Sequence, residues 1–420
     1  MGVTIAWSGN GRFRMAELVE VTIERLGLQG DGLAEGVRAP FTLPGERVRG
    51  PVAEGVLAPA TVLEPSPDRV APPCRHFGTC GGCALQHASD GFLAEWKRAA
   101  VVRALAARGL TAEVAVPQVS PARSRRRAVL AGRRGKRGPM VGFHGRRSDV
   151  VVDLADCLLV RPEILAALPT LKQIVALGAS RAHEVRLTAT VSEGGLDVGV
   201  SGGKPLDQSL RAGLAGIAEA ADLARLSWEG EPVALRRPPW QGMGRARIAP
   251  PPGAFLQATA EGEAALVAAV RGLVGDAARV ADLFAGCGTF ALPLAEGAEV
   301  LAVEGEAAML AALDAGWRKA EGLKRIRVEA RDLFRRPLQP AELDRFDAVT
   351  IDPPRAGAEA QVRELAASRV PRIAMVSCNP ATFARDAEIL VAGGYKLGEV
   401  RPVDQFRWSG HVELVAGFAR

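Results

Sequence analysis

The chain has 420 residues, enough for two or three domains, and its 48% hydrophobic content is ordinary for a globular protein. No window approaches 18 uninterrupted apolar residues and the N-terminus lacks a long apolar leader, so the reading is cytoplasmic with no membrane partner. The formal net charge of +6 says little alone; its distribution says more.

In chain order, residues 1–14 read as a tail. Residues 15–69 alternate apolar and polar with Gly-rich turns, which predicts a small antiparallel β-barrel. A Pro-rich stretch near Pro65–Pro73 closes it. Residues 70–253 form a central α+β domain, opening with PPCRHFGTCGGCALQH and an amphipathic helix over 90–108. Short strands (RRRAVLAG, MVGFHG, DVVVDLAD), helices around 162–177 and 207–225, and a hairpin turning at EGG complete it. From 254 to 420 strands and helices alternate, which predicts a Rossmann-like α/β sheet. The last two strands have no helix between them and should run antiparallel.

Residues 121–147 hold ten basic side chains and no acidic one: Arg123, Arg125, Arg126, Arg127, Arg133, Arg134, Lys136, Arg137, Arg146 and Arg147. The plain reading is a solvated hairpin; the sharper one is a phosphate-binding patch, in which Arg125, Arg126, Arg127, Arg133 and Arg134 grip RNA.

Within DLFAGCGTFALPLA, Asp282 is expected at a strand end and Gly286 and Gly288 in the turn beyond it. Glu304, Asp332 and Asp352 are expected at the next strand ends, making four carboxylates along one edge. A Gly-rich turn alone does not separate a nicotinamide dinucleotide from S-adenosylmethionine. The carboxylates favour a ligand with a nucleoside, hydroxyls and a positive centre. The bland alternative is that one or two of them cap helices. In IDPPRAG two prolines stiffen the following loop.

Cys378, in SCNPATFARD, sits at the carboxyl end of the next strand. A helix starting near Ala381 should aim its N–H groups at the thiol and draw it towards thiolate. A thiolate beside a methyl donor suits methylation of uracil C5: sulfur adds to C6, C5 attacks the methyl, and a base removes the C5 proton. Glu413, in HVELVA, is the expected base, with His411 as competitor on the opposite strand face.

Cys74, Cys80 and Cys83 follow a C-x5-C-x2-C spacing, and Cys157 is a fourth thiol far downstream. Their chemistry permits zinc or an iron–sulfur cluster. Cys287 reads as a packed core thiol.

SCNPATFARD, IDPPRAG, DLFAGCGTFALPLA and HVELVA together resemble the signatures of the RNA (uracil-5-)methyltransferase family, over nearly the whole chain. The resemblance implies that Cys378 is the nucleophile and Glu413 the base. It implies methyl-donor contacts from Gln257, Phe284, Thr289, Glu304, Asp332 and Asp352 on a class I methyltransferase fold. It also implies a TRAM-like, OB-type barrel at 15–69 and a [4Fe–4S] cluster on Cys74, Cys80, Cys83 and Cys157. The activity implied is 5-methyluridine formation in a single-stranded or loop region of 23S ribosomal RNA by a monomer. Transfer RNA as substrate, and an assembly factor whose methylation is incidental, are the alternatives; a nicotinamide oxidoreductase would rest on the Gly turn alone.

Overall fold

The computed structural model describes residues 4–7, 13–16 and 18–420. Within the expected tail, residues 1–3 and 8–12 lie outside the described residues, and Thr4–Trp7 pairs antiparallel with Phe13–Ala16. The chain divides into two compact units. One comprises Met1–Trp96, His144–Asp149 and Trp408–His411; the other comprises Lys97–Phe143, Val150–Arg407 and Val412–Arg420.

In the first unit, strands between Leu18 and Glu64 form a seven-stranded sheet, mostly antiparallel, over an interior of Ile23, Ala39, Val48 and Leu57. Glu46 is fully buried there. Its carboxylate is held by the Arg69 guanidinium and by the N–H groups of Leu43 (2.8 Å) and Ser66 (3.2 Å).

The second unit contains two large sheets and a two-stranded hairpin, Gln241–Met243 with Ala246–Ile248. One is seven-stranded and built on the hairpins Arg127–Gly135 with Gly138–His144 and Val185–Ser192 with Gly195–Ser201, the second turning at Glu193–Gly194.

The other has eight strands: β1 (Gln118–Val119), β2 (Arg279–Leu283), β3 (Glu299–Glu304), β4 (Ile326–Ala330), β5 (Ala348–Ile351), β6 (Arg372–Ser377), β7 (Lys396–Asp404) and β8 (Glu413–Ala419). Their spatial order is β1-β7-β8-β6-β5-β2-β3-β4. The run from β6 to β4 is parallel, and β8 is antiparallel to both neighbours, as the missing helix between β7 and β8 requires.

The central strands β2, β5 and β6 are short, mostly apolar and buried on both faces, as expected inside a parallel sheet. Helices α1 (Ala260–Val274) and α2 (Ala307–Lys319) supply Leu266, Val270, Leu310 and Leu313 to one core. Helices α3 (Glu359–Ala367) and α4 (Pro380–Ala392) supply Val362, Leu365, Phe383 and Leu390 to the other. Successive residues of β2 alternate between them: Val280 joins the first core, Ala281 and Leu283 the second. Ligands of such sheets bind outside the carboxyl ends of the strands, so the loops after β2, β3, β4, β5 and β6 define where chemistry is expected.

Candidate active site

Those loops enclose a cavity of about 470 Å³, within the range of small-molecule sites. Its walls include Gln257, Phe284, Gly286, Thr289, Glu304, Asp332, Asp352, Arg355, Cys378 and Glu413. Residues that the sequence spreads over some 150 positions thus meet in one place.

The turn after β2 has unusual backbone. Phe284 takes φ 60°, a left-handed value uncommon for a residue with a side chain, and Gly286 (54°) and Gly288 (97°) follow it. A Cβ at Gly286 would meet nothing within 4 Å, so the backbone lies bare to the cavity. A Cβ at Gly288 would press on Leu313 at 2.9 Å and Leu292 at 3.0 Å, so that glycine serves packing.

Glu304 caps this turn from β3. One carboxylate oxygen accepts from Gly286 N–H and the other from Glu306 N–H, both at 3.0 Å. Its remaining lone pairs can accept from vicinal hydroxyls. Asp332 lies two residues beyond β4 and also lines the cavity. Its side chain accepts from Phe334 N–H (3.0 Å) and Arg335 N–H (3.3 Å), so it caps a turn as well.

Asp282 departs from expectation. It lies near the end of β2, as expected, but on the Val280 side, fully buried and not among the cavity-lining residues. Burial first, then the charges of Asp352 and Glu304, pushes its carboxyl well above the usual range, which favours the protonated form. The acidic edge is therefore three residues, with a fourth buried.

Cys378 follows β6. The ladder pairs Ser377 with Leu414 antiparallel, and the next step brings Cys378 beside Glu413. Of the two candidate bases, Glu413 is the one that lines the cavity.

The expected thiolate is not what this setting favours. Burial, then the charges of Glu413 and Asp352, pushes the Cys378 thiol up to about 11, and Arg355 offsets only part of this. The helix contributes little because its first turn is already capped. Asn379 Oδ1 accepts from Ala381 N–H at 3.1 Å, and Pro380 has no N–H to offer. Burial and the charge of Asp352 push Glu413 up to about 8, and burial pushes Asp352 up to about 7.

The loops after β5 and β6 are tied together, since the Arg355 carbonyl accepts from Asn379 Nδ2 (3.2 Å) and Thr382 Oγ1 (3.3 Å). Cys287 lies in the cavity wall as a buried thiol, pushed up to about 12 by burial and then by Glu304 and Glu306.

Several wall residues escaped the sequence reading. Phe334 packs on Phe284 with ring centroids 5.3 Å apart and stays 48% exposed, and Phe255 is 61% exposed beside the same cavity. Two exposed aromatics at one cavity offer flat faces to a planar ligand. The only signal was an aromatic two residues after Asp332 in a polar loop.

A profile of the family described as tRNA (Uracil-5-)-methyltransferase matches residues 251–418. An RNA methyltransferase of Brucella suis is 47% identical over 94% of this chain and 97% of its own length. The 23S rRNA (uracil(1939)-C(5))-methyltransferase RlmD of Halomonas elongata is 34% identical over 94% of this chain and 88% of its own. The chain belongs to the RNA (uracil-5-)methyltransferase family.

Its fold is that of the class I, S-adenosylmethionine-dependent methyltransferases. The solved tRNA (uracil-54, C5)-methyltransferase of Pyrococcus abyssi superposes with a TM-score of 0.76, covering 95% of this chain and 99% of that one at 24% identity.

The residues expected to serve RNA and metal divide less simply in this family member. Arg126 is buried against Glu263, so its guanidinium is an internal support and not a phosphate contact. Period-two alternation along the chain turns it inward between Arg125 and Arg127. Arg125 lies over the Phe406 ring at 5.6 Å, and Arg127 donates to the Gly253 carbonyl at 3.2 Å. In the other unit Arg146 and Arg147 are taken up by Asp31, at 2.6 and 2.5 Å. Arg133 and Arg134 lie where the hairpin of the second unit turns, opposite Met140 and Pro139.

Among the described residues, no three or more His, Cys, Asp or Glu side chains come together as a metal-binding group. Cys74 Sγ lies 3.8 Å from His76 Nδ1, while Gly82 N–H reaches Cys80 Sγ and Leu159 N–H reaches Cys157 Sγ, each at 3.4 Å. Cys74, Cys80 and Cys83 belong to the first unit and Cys157 to the second.

Proposed function

We propose that this protein forms 5-methyluridine in 23S ribosomal RNA by covalent catalysis, acting as a cytoplasmic monomer. One observation carries the reading: a cysteine just past the end of β6 and a carboxylate at the start of its antiparallel neighbour β8 share a cavity with a Gly-rich, carboxylate-lined turn. The similarity to an enzyme named for ribosomal RNA over nearly its whole length supports the substrate class.

The cavity suits S-adenosylmethionine. Glu304 is placed to accept from ribose hydroxyls, the bare backbone at Gly286 admits close approach, and Phe284 with Phe334 offers a face for adenine. Gln257, Thr289, Asp332 and Asp352 complete the wall. When bound, S-adenosylmethionine supplies an electrophilic sulfonium methyl.

Cys378 gives up its proton to Asp352, so that Glu413 stays ionised, as its sulfur bonds to C6 of a uracil taken out of its stack. The resulting enolate makes C5 nucleophilic, and a C5–methyl bond forms with loss of S-adenosylhomocysteine. Glu413 removes the C5 proton. The electrons of that bond re-form C5=C6, the C6–S bond breaks, and Cys378 is released. A carboxyl near 8 is a stronger base than an ordinary glutamate but is mostly protonated at neutral pH, so its ionised, active fraction grows as pH rises through 8.

Arg125, Arg127, Arg133 and Arg134 are proposed to hold RNA phosphates. An iron–sulfur cluster on Cys74, Cys80, Cys83 and Cys157 belongs to this reading on the sequence alone, and no step passes through it. Iron and sulfide assay of anaerobically purified protein tests it, four irons per chain being expected and none contradicting it.

Transfer RNA is the second reading, because the matching profile and the Pyrococcus enzyme both carry that substrate in their names. Mapping 5-methyluridine in both RNAs from a deletion strain decides: loss from ribosomal RNA supports the proposal, and loss confined to transfer RNA refutes it. In vitro, Cys378→Ala should bind RNA with no methyl transfer; full activity in that variant would end the mechanism.

A further inference from the structure

Gln257 is 3% exposed in the cavity wall, and its side-chain amide could present either an acceptor or a donor to a ligand. A chain of bonds behind it fixes which. The backbone N–H of Thr259 can only donate, and it donates to Gln405 Oε1 at 3.2 Å. The other end of Gln405 must then be its NH2, which donates to Gln257 Oε1 at 2.7 Å. That commits the Gln257 oxygen away from the cavity and leaves its NH2 facing Asp352 Oδ2, 3.5 Å away. The polarity of a cavity-wall amide is thus set by one main-chain N–H two bonds behind it.

Gln405 is itself tightly seated. It is 3% exposed, and a Cβ at Gly262 would come within 2.3 Å of its Cγ, so the first turn of α1 is bare where Gln405 lies. Its two chain neighbours are gripped by one side chain. Lys97, 1% exposed, ion-pairs with Asp404 Oδ2 at 2.5 Å and donates to the Phe406 carbonyl at 3.2 Å. A buried ammonium is costly to keep, and holding a chain segment in one register is a use that fits it.

We propose that Gln405, clamped by Lys97, is a positioning residue that fixes the polarity of Gln257 so that a donor and not an acceptor faces the methyl-donor pocket. This rests on the reading that the cavity takes S-adenosylmethionine.

The test uses full-length protein without RNA and S-adenosylhomocysteine as probe, by titration calorimetry. Gln405→Met keeps the length but makes neither amide bond, leaving Gln257 free to turn. Gln405→Glu keeps the acceptor for Thr259 N–H but, ionised, has no donor, so Gln257 must turn its NH2 back towards it. Binding should weaken about tenfold in the first and more in the second. Adding Gln257→Ala to Gln405→Met should bring no further loss, as expected of groups acting as a unit. In methylation assays KM for S-adenosylmethionine should rise with kcat at saturation within about twofold. Equal affinity in wild type and both variants, or a fall in kcat with KM unchanged, overturns the proposal. A wild type that binds no S-adenosylhomocysteine sinks the cofactor reading and this inference with it, so the two failures are told apart.

Discussion

A thiol pushed up to about 11 is a weak nucleophile at neutral pH, so Cys378 must shed its proton on the way to the sulfur–carbon bond. Glu413, pushed up to about 8, must be ionised to act. Both requirements have the same sign. Single-turnover methylation should therefore rise with pH through about 8, with no fall across that interval. A rate that falls across that interval would contradict the assignment. Glu413→Gln should still add sulfur to the base but fail to release it, giving an RNA–protein adduct on a denaturing gel. That Cys378 and Glu413 would meet in one cavity was legible from residue type, strand-end position and motif. The protonation of Cys378 was not, because it depends on which charges burial gathers around it. A cap supplied by Asn379 and a proline at the first helical position remove the N–H groups that the sequence reading relied on.

At the scale of elements, strand–helix alternation marked the parallel sheet well. Apolar strands separated by amphipathic helices leave few other arrangements, and α4 begins within a residue of its expected start near Ala381. The acidic edge was read less well, since a strand-end motif does not say which face an Asp inside the strand turns to. Asp282 shares the Val280 side and is buried.

The turn after β2 makes its own prediction. Gly288→Ala forces both a left-handed φ and contact with Leu313 and Leu292. It should cost roughly 2 kcal/mol of stability and lower the melting temperature, with less of the rise that S-adenosylhomocysteine gives the wild type. The basic hairpin makes another. Arg133→Ala with Arg134→Ala should weaken RNA binding and reduce the slope of log affinity against log salt by about 1.5. Arg126→Ala should act on stability, since its partner Glu263 is buried.

For the molecule as a whole, a net charge of +6 is only a background for RNA binding; what counts is which basic groups are left over after internal pairing. Arg126, Arg146 and Arg147 are spent on Glu263 and Asp31. A run of arginines in sequence cannot reveal that, because their partners lie more than a hundred residues away.

Glu46 shows the same accounting for acid stability. Burial alone would raise its carboxyl, but the Arg69 guanidinium and the Leu43 and Ser66 N–H groups outweigh it and hold it below its ordinary 4.5. A lowered folded-state pKa contributes stability that is full above the unfolded value and is lost as pH falls through the folded one. Glu46→Gln should cost about 3 kcal/mol at neutral pH, with the gap to wild type closing only as pH falls below the ordinary 4.5 and through the lowered folded value, as urea denaturation at several pH values would show.

The central claim is a bond between Cys378 and C6 of a uridine in RNA. A substrate RNA carrying 5-fluorouridine at the target position, incubated with S-adenosylmethionine, tests it most directly, because fluorine cannot leave C5 as a proton does and the adduct persists. Peptide mass spectrometry after nuclease digestion should find a methylated fluorouridine on the peptide containing Cys378. An adduct on another residue, or turnover of normal substrate with no adduct from the fluorinated one, would contradict the account.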